Sequence, residues 1–366
     1  MDNATHTLFA LTLARTPLGR AGRGTTAALV LASNAPDIDI LATWGGAVNY
    51  LRWHRGPTHG PLGVLVLGLA AAGLVWAAQR AFEKNPNHDP PASLPMLAAI
   101  STIGVLFHVL MDFPTSYGTR LLSPFDWHWW AVDWMPIIDV YLLVALAAGL
   151  LFGRMSDAAK RSNAAIVLAL MAANYGVRAA AHHQALTTAP RLFGPTLPPP
   201  CDPSSSDRGV IERWPQPVGL TPRDPAKRCL VQIVALPTFF SPFNWRVIAH
   251  LSSGYEVHDV DVLDVRFRRP ADPSEVLWRT TLRIPNVWTP QVWTAASTNL
   301  GRTFLGFARL PAARSFVDPF DTATIRWNDM RFIGGRRSLT TAQNDPFSVV
   351  IRIAPDGHVL AEQLTP

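Results

Sequence analysis

The sequence predicts an α-helical multi-span membrane bundle, with about four to six membrane-embedded helices, followed by a smaller α+β domain with an antiparallel sheet. Two observations lead to this prediction. First, 48% of the 366 residues are hydrophobic and only 16% are charged, and the apolar residues are concentrated before about residue 182. Second, short runs that alternate apolar and polar residues follow residue 229, as in half-buried strands.

Four apolar runs are long enough to cross a bilayer, which requires roughly 17 to 25 residues. These runs are residues 61–79, 94–113, 136–152 and 164–181. Residues 5–15 and 25–43 are weaker candidates because polar residues, charges and Pro36 interrupt them, and we expect short or half-inserted helices there. The membrane-embedded domain is predicted to occupy residues 1–182.

A Pro-rich stretch separates the bundle from the second domain. Residues 183–228 contain the run PRLFGPTLPPPCDPSSS, which is typical of an extended linker. Residues 229–366 contain the strand-like runs CLVQIVAL, YEVHDVDVLDV, TATIRW and FSVVIRIAP, and residues 290–308 have helical spacing. Cys201 and Cys229 are expected to form a disulfide if this half lies outside the cytoplasm.

The basic residues indicate membrane topology rather than nucleic-acid binding. The net charge is +6, but the lysines and arginines are dispersed through loops instead of forming one stripe. Many of them fall on alternate connections, which the positive-inside rule places in the cytoplasm: Arg15, Arg20, Arg23, Arg80, Lys84, Arg154, Lys160 and Arg161. This orientation predicts a multi-pass inner-membrane protein whose site and C-terminal domain are extracytoplasmic, with membrane lipids as partners.

Ionisable side chains in apolar runs indicate a site, because a charge costs about 2.5 kcal/mol or more at the centre of a spanning helix. His108 and Asp112 lie one helical turn apart in the run LFHVLMDF, so an imidazole and a carboxylate share one face. This spacing suits a chelating pair. In the alternative interpretation, His108 bonds a neighbouring polar group and Asp112 caps the following turn.

Two further segments place candidate ligands beside helix-breaking residues. Asp37 and Asp39 follow Pro36, where an irregular backbone either aims both carboxylates at one cation or forms a solvated turn. His54 and His59 are five residues apart in HRGPTH, immediately before the most apolar run. Both segments therefore offer ligands at the edge of the predicted bundle.

Two more aspartates, Asp133 and Asp139, flank the start of a predicted span, and Asp139 requires a partner because it lies in an apolar run. Tryptophans precede them at positions 127, 129, 130 and 134, and these need no catalytic role because tryptophan is enriched at membrane interfaces. Carboxylates mixed with imidazoles suit zinc, manganese or iron, and more than four candidate ligands suit two ions.

Taken together, these motifs resemble the YdjM-like family of inner-membrane proteins, which is associated with metal-dependent hydrolysis. The resemblance rests on Thr5-His6, PDID, HRGPTH, HVLMDFPTSYG, SPF and the Asp133 to Asp139 stretch, in matching order over residues 1 to about 150. It implies a multi-span membrane domain with hydrolase activity. The functional positions that it implies are His6, Asp37, Asp39, His54, His59, His108, Asp112, Asp133 and Asp139.

The sequence therefore predicts a hydrolase that uses one or two divalent ions, zinc or manganese, to activate water. The predicted metal ligands are His6, Asp37, Asp39, His54, His59, His108, Asp112 and Asp139. Arg55, Thr58 and Asp133 are the predicted catalytic residues, with Arg55 or Thr58 binding an anionic group of a phosphoester or lipid-like substrate. The alternative is a non-enzymatic metal-binding scaffold or regulatory protein, and an open coordination position would favour the enzyme.

Overall fold

The computed structural model describes residues 1–82, 90–151, 156–193, 197–201, 229–264, 282–333 and 347–365. The chain divides into two compact units. The first comprises Met1–Leu41, Arg55–Ala180 and Phe239–Pro242, and the second comprises Ala42–His54, Ala181–Thr238 and Phe243–Pro366. Most of the predicted linker, residues 202–228, lies outside the described residues, as do Lys84 and Arg154.

The N-terminal half is helical. Its α-helices are α1 (Asn3–Leu13), α2 (Thr25–Ala32), α3 (Ala47–Trp53), α4 (Pro61–Ala81), α5 (Leu94–Asp112), α6 (Val140–Leu151) and α7 (Asp157–Phe193). Local signals set several of the starts. The Asp2 carboxylate accepts the Thr5 N–H at 3.0 Å and caps α1, and Pro61 begins α4 where its missing N–H is not needed.

Among the described residues, three helices are long and apolar enough to cross a membrane: α4, α5 and the Asp157–Pro190 part of α7. The predicted multi-span bundle is therefore confirmed. The prediction for residues 136–152 began too early, because residues 136–139 precede α6, which has 12 described residues; residue 152 lies outside the described residues. Asp139 begins this helix by accepting the Leu142 N–H at 2.8 Å, so the preceding residues are not helical.

The two weaker candidates form shorter structures than a span. Residues 5–15 correspond to α1, which has 11 residues, and residues 25–43 divide into α2 and a 3₁₀ segment, Ala35–Gly45. A spanning helix needs about 20 residues, so neither element crosses a bilayer alone. Conversely, α7 continues to Phe193, past the predicted end of the bundle at residue 182.

The first unit carries large apolar side chains on its outside. Leu62, Leu65, Val66 and Leu69 of α4 are all exposed. On its inner side α4 approaches α5 closely, because Gly68 lies directly against Thr102. Small residues at a helix contact and apolar residues on the outer surface are typical of helices packed in lipid.

The second unit contains two antiparallel four-stranded sheets, as predicted for this half. The first sheet has the order β1 (Leu230–Pro237), β2 (Asn244–Leu251), β3 (Gly254–Asp261) and β4 (Leu282–Pro285). The second sheet has the order β5 (Pro311–Val317), β6 (Ala323–Asp329), β7 (Ser348–Ile353) and β8 (Val359–Thr365). Each described strand pairs antiparallel with its neighbour in sequence.

The predicted helix over residues 290–308 is two helices, α8 (Pro290–Ala296) and α9 (Asn299–Phe307). Thr298 separates them because its hydroxyl accepts the Gly301 N–H at 3.0 Å and caps α9. Phe304 and Phe307 of α9 are completely buried, as are Trp245 and Trp327 of the sheets. This unit therefore has an apolar core built around aromatic side chains.

The disulfide between Cys201 and Cys229 is formed, as predicted for an extracytoplasmic location. Its surroundings are held by backbone hydrogen bonds, since the Cys201 N–H donates to the Leu230 carbonyl at 2.7 Å. The end of α7, including Ala185 and Leu192, packs against the same sheet in one apolar cluster. The disulfide therefore joins the segment after α7 to the start of β1.

Candidate metal centre

Four predicted metal ligands meet at the end of the bundle where α5 ends and α4 begins. His108 and Asp112 lie in the last turn of α5, on one face. His59 lies at the end of a short 3₁₀ turn, Pro57–His59, which leads directly into α4. Asp37 comes from the 3₁₀ segment after α2. Within the described chain, these four residues form a group able to hold a metal ion.

The ligand atoms have the separations that one ion requires. His108 Nε2 lies 3.3 Å from His59 Nε2 and 3.4 Å from Asp112 Oδ2. Asp37 Oδ1 lies 3.5 Å from His108 Nε2 and 3.9 Å from His59 Nε2. Ligands in a tetrahedron at about 2.1 Å from zinc are about 3.4 Å from one another. The four groups therefore fit a single four-coordinate ion.

Hydrogen bonds orient both imidazoles toward this centre. The Nδ1 of His108 lies 2.7 Å from the Ser33 carbonyl oxygen, which only accepts hydrogen bonds, so Nδ1 carries the proton and Nε2 carries the lone pair. The Nδ1 of His59 lies 3.0 Å from the Thr58 hydroxyl. When Nδ1 of His59 donates to this hydroxyl, both Nε2 lone pairs face the carboxylates, an arrangement that a cation stabilises.

Asp112 supplies the strongest sign of a bound cation. Its side chain is completely buried, and among the described residues neither carboxylate oxygen has a hydrogen bond. Its Oδ1 makes ion pairs with the Met1 amino group and, at 3.2 Å, with the Arg55 guanidinium, whereas Oδ2 faces the two imidazoles. Because buried polar atoms are normally satisfied, Oδ2 fits the role of a metal ligand.

His6 lies beside this group rather than in it. Its ring stacks on His108 with centroids 3.8 Å apart, and its Nε2 is 3.4 Å from Asp112 Oδ1. Burial lowers the pKa of His6 well below its usual value, with the His108 ring as a further cause, so its imidazole is neutral at pH 7. A neutral imidazole next to Asp112 Oδ1, the oxygen that pairs with Met1 and Arg55, could act together with this oxygen as a ligand of a second ion.

Arg55, in the loop before α4, and Asp39, in the 3₁₀ segment Ala35–Gly45, support the ligands. The Arg55 backbone, at the left-handed φ of 48°, donates its N–H to Asp39 Oδ2 at 2.7 Å. The Arg55 guanidinium donates to the Gly118 carbonyl at 2.9 Å and lies over the Tyr117 ring. The buried Arg55 guanidinium also contacts Asp112, so Arg55 positions a ligand in this structure. Asp39 Oδ2 in turn lies 3.8 Å from His59 Nδ1.

In a comparison with known proteins, residues 1–185 match the family model described as YdjM inner membrane protein. This range includes every predicted site residue. The chain belongs to the YdjM family. The uncharacterized protein YfhP of Bacillus subtilis (strain 168) is 26% identical over 123 residues, which is 34% of this chain and 35% of YfhP. The match thus spans about a third of that relative, and no solved structure matches the chain.

Besides His6, Asp39, Arg55 and Thr58, three more predicted site residues of this YdjM family member lie outside the four-residue group. His54 ends α3, and its Nε2 lies 3.3 Å from the Tyr50 hydroxyl. Asp139 pairs with Arg178 at 2.6 Å and begins α6, as described above. Asp133 is buried with a φ of 62°. The structure thus gives His54 and Asp139 partners away from the centre.

Two contributions to the YdjM bundle were not found from the sequence. Ser33 acts through its backbone carbonyl, which leaves no signal in side-chain chemistry. Arg178, by contrast, is a completely buried arginine in a predicted span, and this position alone marks it as the partner of a buried acid. Asn174, one turn before it, also donates to Asp139, at 3.1 Å.

A second buried arginine of the YdjM unit, Arg120, contacts the backbone of Arg55. Arg120 is buried, its guanidinium lies over the Trp127 and Trp129 rings, and its backbone N–H donates to the Arg55 carbonyl at 3.1 Å. Burial lowers the pKa of Arg120 to about 9, although the electrostatic interactions with Tyr117 and Asp39 act to raise it. Arg120 is nevertheless charged at pH 7, so it adds positive charge beside the acidic ligands.

Proposed function

We propose that this membrane protein is a metal-dependent hydrolase in which Asp37, His59, His108 and Asp112 hold a divalent ion. The observation that carries the proposal is the convergence of these four side chains at ligand spacing around a buried carboxylate oxygen that has no hydrogen bond among the described residues. Two carboxylates and two imidazoles suit zinc or manganese. His6 and Asp112 Oδ1 would supply ligands to a second ion.

A bound divalent ion would supply Lewis acidity and lower the pKa of water to about 7. The protein's own residues prepare the site for it. Thr58 orients His59, the Ser33 carbonyl orients His108, and Arg55 holds Asp112. Asp37 is 18% exposed whereas the other three ligands are buried, so water and substrate would approach past Asp37.

The location of the site supports a phosphoester of a lipid-like molecule as the substrate. Asp112 is the last residue of one candidate span and His59 closely precedes another, which supports a site at the level of a membrane surface. The side chains of Ile38, Ile40 and Leu41, in or next to the ligand-bearing segment, are exposed and apolar. An amphiphile would place its phosphate at the ion and its acyl chain along these residues.

The orientation that we propose places the site and the second unit on the extracytoplasmic side of the inner membrane. The alternation of basic residues between connections supports it, with Arg15, Arg20, Arg23, Lys160 and Arg161 on the cytoplasmic side. The Cys201–Cys229 disulfide supports it independently, because such bonds persist in oxidising compartments.

A second candidate function is a metal-stabilised scaffold. The specific observation in its favour is that four protein ligands are enough to fill a tetrahedral site, and structural zinc sites are closed in this way. Catalytic sites keep one position for water. The two functions therefore differ in whether Asp37 or another ligand leaves a position open.

The decisive experiment is to measure the metal content of detergent-purified protein for the wild type, His59→Ala and Asp112→Ala. His54→Ala is the matched control, because His54 belongs to the same HRGPTH motif but lies outside the four-residue group. We expect stoichiometric metal in the wild type and the control and loss of metal in both ligand variants, with size-exclusion chromatography to verify folding. A wild type that stays metal-free after reconstitution would refute the metal centre.

Loaded protein would then be assayed with bis-p-nitrophenyl phosphate and with phosphatidic acid in mixed micelles. Hydrolysis that depends on His59 and on added metal would support the enzyme. Stoichiometric metal without turnover of either phosphoester, combined with lower thermal stability after chelation, would favour the scaffold.

A further inference from the structure

Two buried hydroxyl groups in the first unit have no hydrogen-bond partner among the described residues. They belong to Thr119 and Ser123, which are completely buried and lie in the connection between α5 and α6. A buried hydroxyl without a partner destabilises the folded state, because it gives up hydrogen bonds to water and gains none in the protein. Two such groups four residues apart are therefore candidates for binding a ligand.

The backbone around both hydroxyls is fixed by hydrogen bonds. Thr119 and Trp130 exchange two of them, with the Thr119 N–H donating at 2.8 Å and the Trp130 N–H donating at 2.9 Å. The Ser123 N–H donates to the Arg120 carbonyl at 3.0 Å and closes a turn. Leu122 in the same turn is exposed. The turn therefore buries a hydroxyl and exposes an apolar side chain, the reverse of what contact with water favours.

Ser123 lies against the segment that carries the metal ligand His59. A Cβ atom at Gly60, the residue after His59, would lie 3.0 Å from the Ser123 Oγ. Glycine has no Cβ atom, so Gly60 allows the two segments to approach closely. The Ser123 hydroxyl is thus next to the backbone of the metal centre.

Arg120 adds positive charge to this segment. Its buried guanidinium lies 5.1 Å and 4.7 Å from the ring centroids of Trp127 and Trp129. It interacts electrostatically with Asp39, and its backbone N–H donates to the Arg55 carbonyl at 3.1 Å. A guanidinium with hydroxyl groups beside it is a combination that recognises phosphate oxygens.

Arg55, which the sequence predicted as an anion-binding residue, serves the metal ligands instead. Its guanidinium lies 3.2 Å from Asp112 Oδ1 and donates to the Gly118 carbonyl at 2.9 Å. These contacts direct its charge to a carboxylate of the protein. The binding of a substrate anion therefore requires other groups.

We propose that Thr119, Arg120 and Ser123 bind the phosphate group of the substrate beside the metal centre. The two hydroxyls donate hydrogen bonds to phosphate oxygens, and the guanidinium balances the negative charge. The proposal rests on the proposed hydrolase and names the residues that recognise its substrate class, a phosphoester. It also gives a role to the SPF motif, which begins at Ser123.

The test measures the binding of inorganic phosphate to the full-length protein in detergent by isothermal titration calorimetry, with and without bound manganese. The variants are Ser123→Ala and Thr119→Val, which remove the hydroxyls with little change in volume. The matched control is Ser101→Ala. Ser101 is also completely buried without a hydrogen-bond partner in the described part of the chain, but it lies about three turns before Asp112 inside α5.

We expect Ser123→Ala and Thr119→Val each to bind phosphate about 10-fold more weakly, the loss that follows from removing one hydrogen bond to a charged group. Ser101→Ala should bind phosphate as the wild type does. All three variants should keep the wild-type metal content. Their unfolding midpoints should equal or exceed that of the wild type, because each variant removes a buried hydroxyl that has no partner.

Wild-type phosphate affinity in both hydroxyl variants would overturn the proposal, as would a wild type that binds metal and hydrolyses phosphoesters but binds no phosphate. Both results would leave the hydrolase intact. A lower unfolding midpoint in Ser123→Ala would show that its hydroxyl stabilises the fold, and would also overturn the proposal. Phosphate binding that depends on Ser123 in a protein that takes up no metal would support the phosphate site and refute the metal centre. If Thr119→Val does not fold, Ser123→Ala decides by the same criteria.

Discussion

Both units of this protein have an apolar interior, but they differ in the titratable side chains that they bury and in the apolar side chains that they expose. In the first, the interior contains His6, His59, His108, Asp112 and the Asp139–Arg178 pair, while large apolar side chains of α4 face outward. In the second, tryptophan and phenylalanine fill the space beneath the sheets. The contrast follows from the surrounding solvent, since lipid accepts apolar surface and water accepts charge.

This difference means that the same substitution has different consequences in each unit. Apolar burial stabilises the second unit by roughly 25 cal/mol per Å² of area removed from water. Between membrane helices this driving force is absent, and association depends on close packing and polar contacts. Stability in the first unit should therefore depend on its few buried charges and small residues, and stability in the second on its large apolar ones.

The largest effect is expected for Trp327→Ala in β6. Trp327 is completely buried, and a Trp-to-Ala substitution in a core costs up to about 5 kcal/mol through lost burial and a residual cavity. Hydrogen exchange of the full-length protein, read by mass spectrometry, should increase in peptides of β5–β8. Exchange in α4 and α5 should remain at the wild-type level, and faster exchange there would contradict the separation of the two cores.

In the first unit, a comparable loss of stability requires the removal of a charged side chain rather than of an apolar one. Arg178→Ala leaves the Asp139 carboxylate buried without its guanidinium partner, which costs about 3 to 4 kcal/mol. The midpoint of unfolding in detergent should fall accordingly. Adding Asp139→Asn to this variant should recover part of the loss, and a double variant as unstable as the single one would contradict the ion-pair explanation.

How much of this the sequence could predict depends on how far apart the contributing residues lie. The His108–Asp112 pair was predictable because helical periodicity alone places both on one face. The sequence could not decide between a metal and another side chain as the partner of Asp139. In the structure Asp139 pairs with Arg178, which lies on another helix and at no regular sequence spacing from it. The unit to which α3 belongs was unpredictable, since its Arg52 donates to Asn299, which lies 247 residues later in the chain.

Removal of the disulfide should destabilise the second unit alone. Cys201 and Cys229 are separated by 28 residues, and closing a loop of that length stabilises a fold by about 3.5 kcal/mol in the chain-entropy account. A Cys201→Ser/Cys229→Ser variant should therefore lose protection from proteolysis in β1–β4. Its metal content should equal that of the wild type, and loss of metal would show that the disulfide acts on the first unit as well.

A smaller effect is expected where α4 and α5 touch. A Cβ atom at Gly68 would lie 2.6 Å from the Thr102 hydroxyl and 2.7 Å from its Cα, so Gly68→Leu forces the helices apart. Overpacking of this kind costs about 1 to 3 kcal/mol. The unfolding midpoint should fall, and Gly73→Leu on the same helix, where a Cβ has open space, should leave it unchanged.

The smallest effect is expected on the outer face of α4, and it tests the comparison most directly. Leu65 is 54% exposed, and if lipid covers it in both the folded and the helix-separated states, Leu65→Ala should change the free energy of unfolding by less than about 0.5 kcal/mol. Leu97 of α5 is the matched control because it is completely buried, and Leu97→Ala should cost at least about 2 kcal/mol. Equal losses for the two leucines, measured in bicelles, would mean that the outer face of α4 packs against protein instead of lipid.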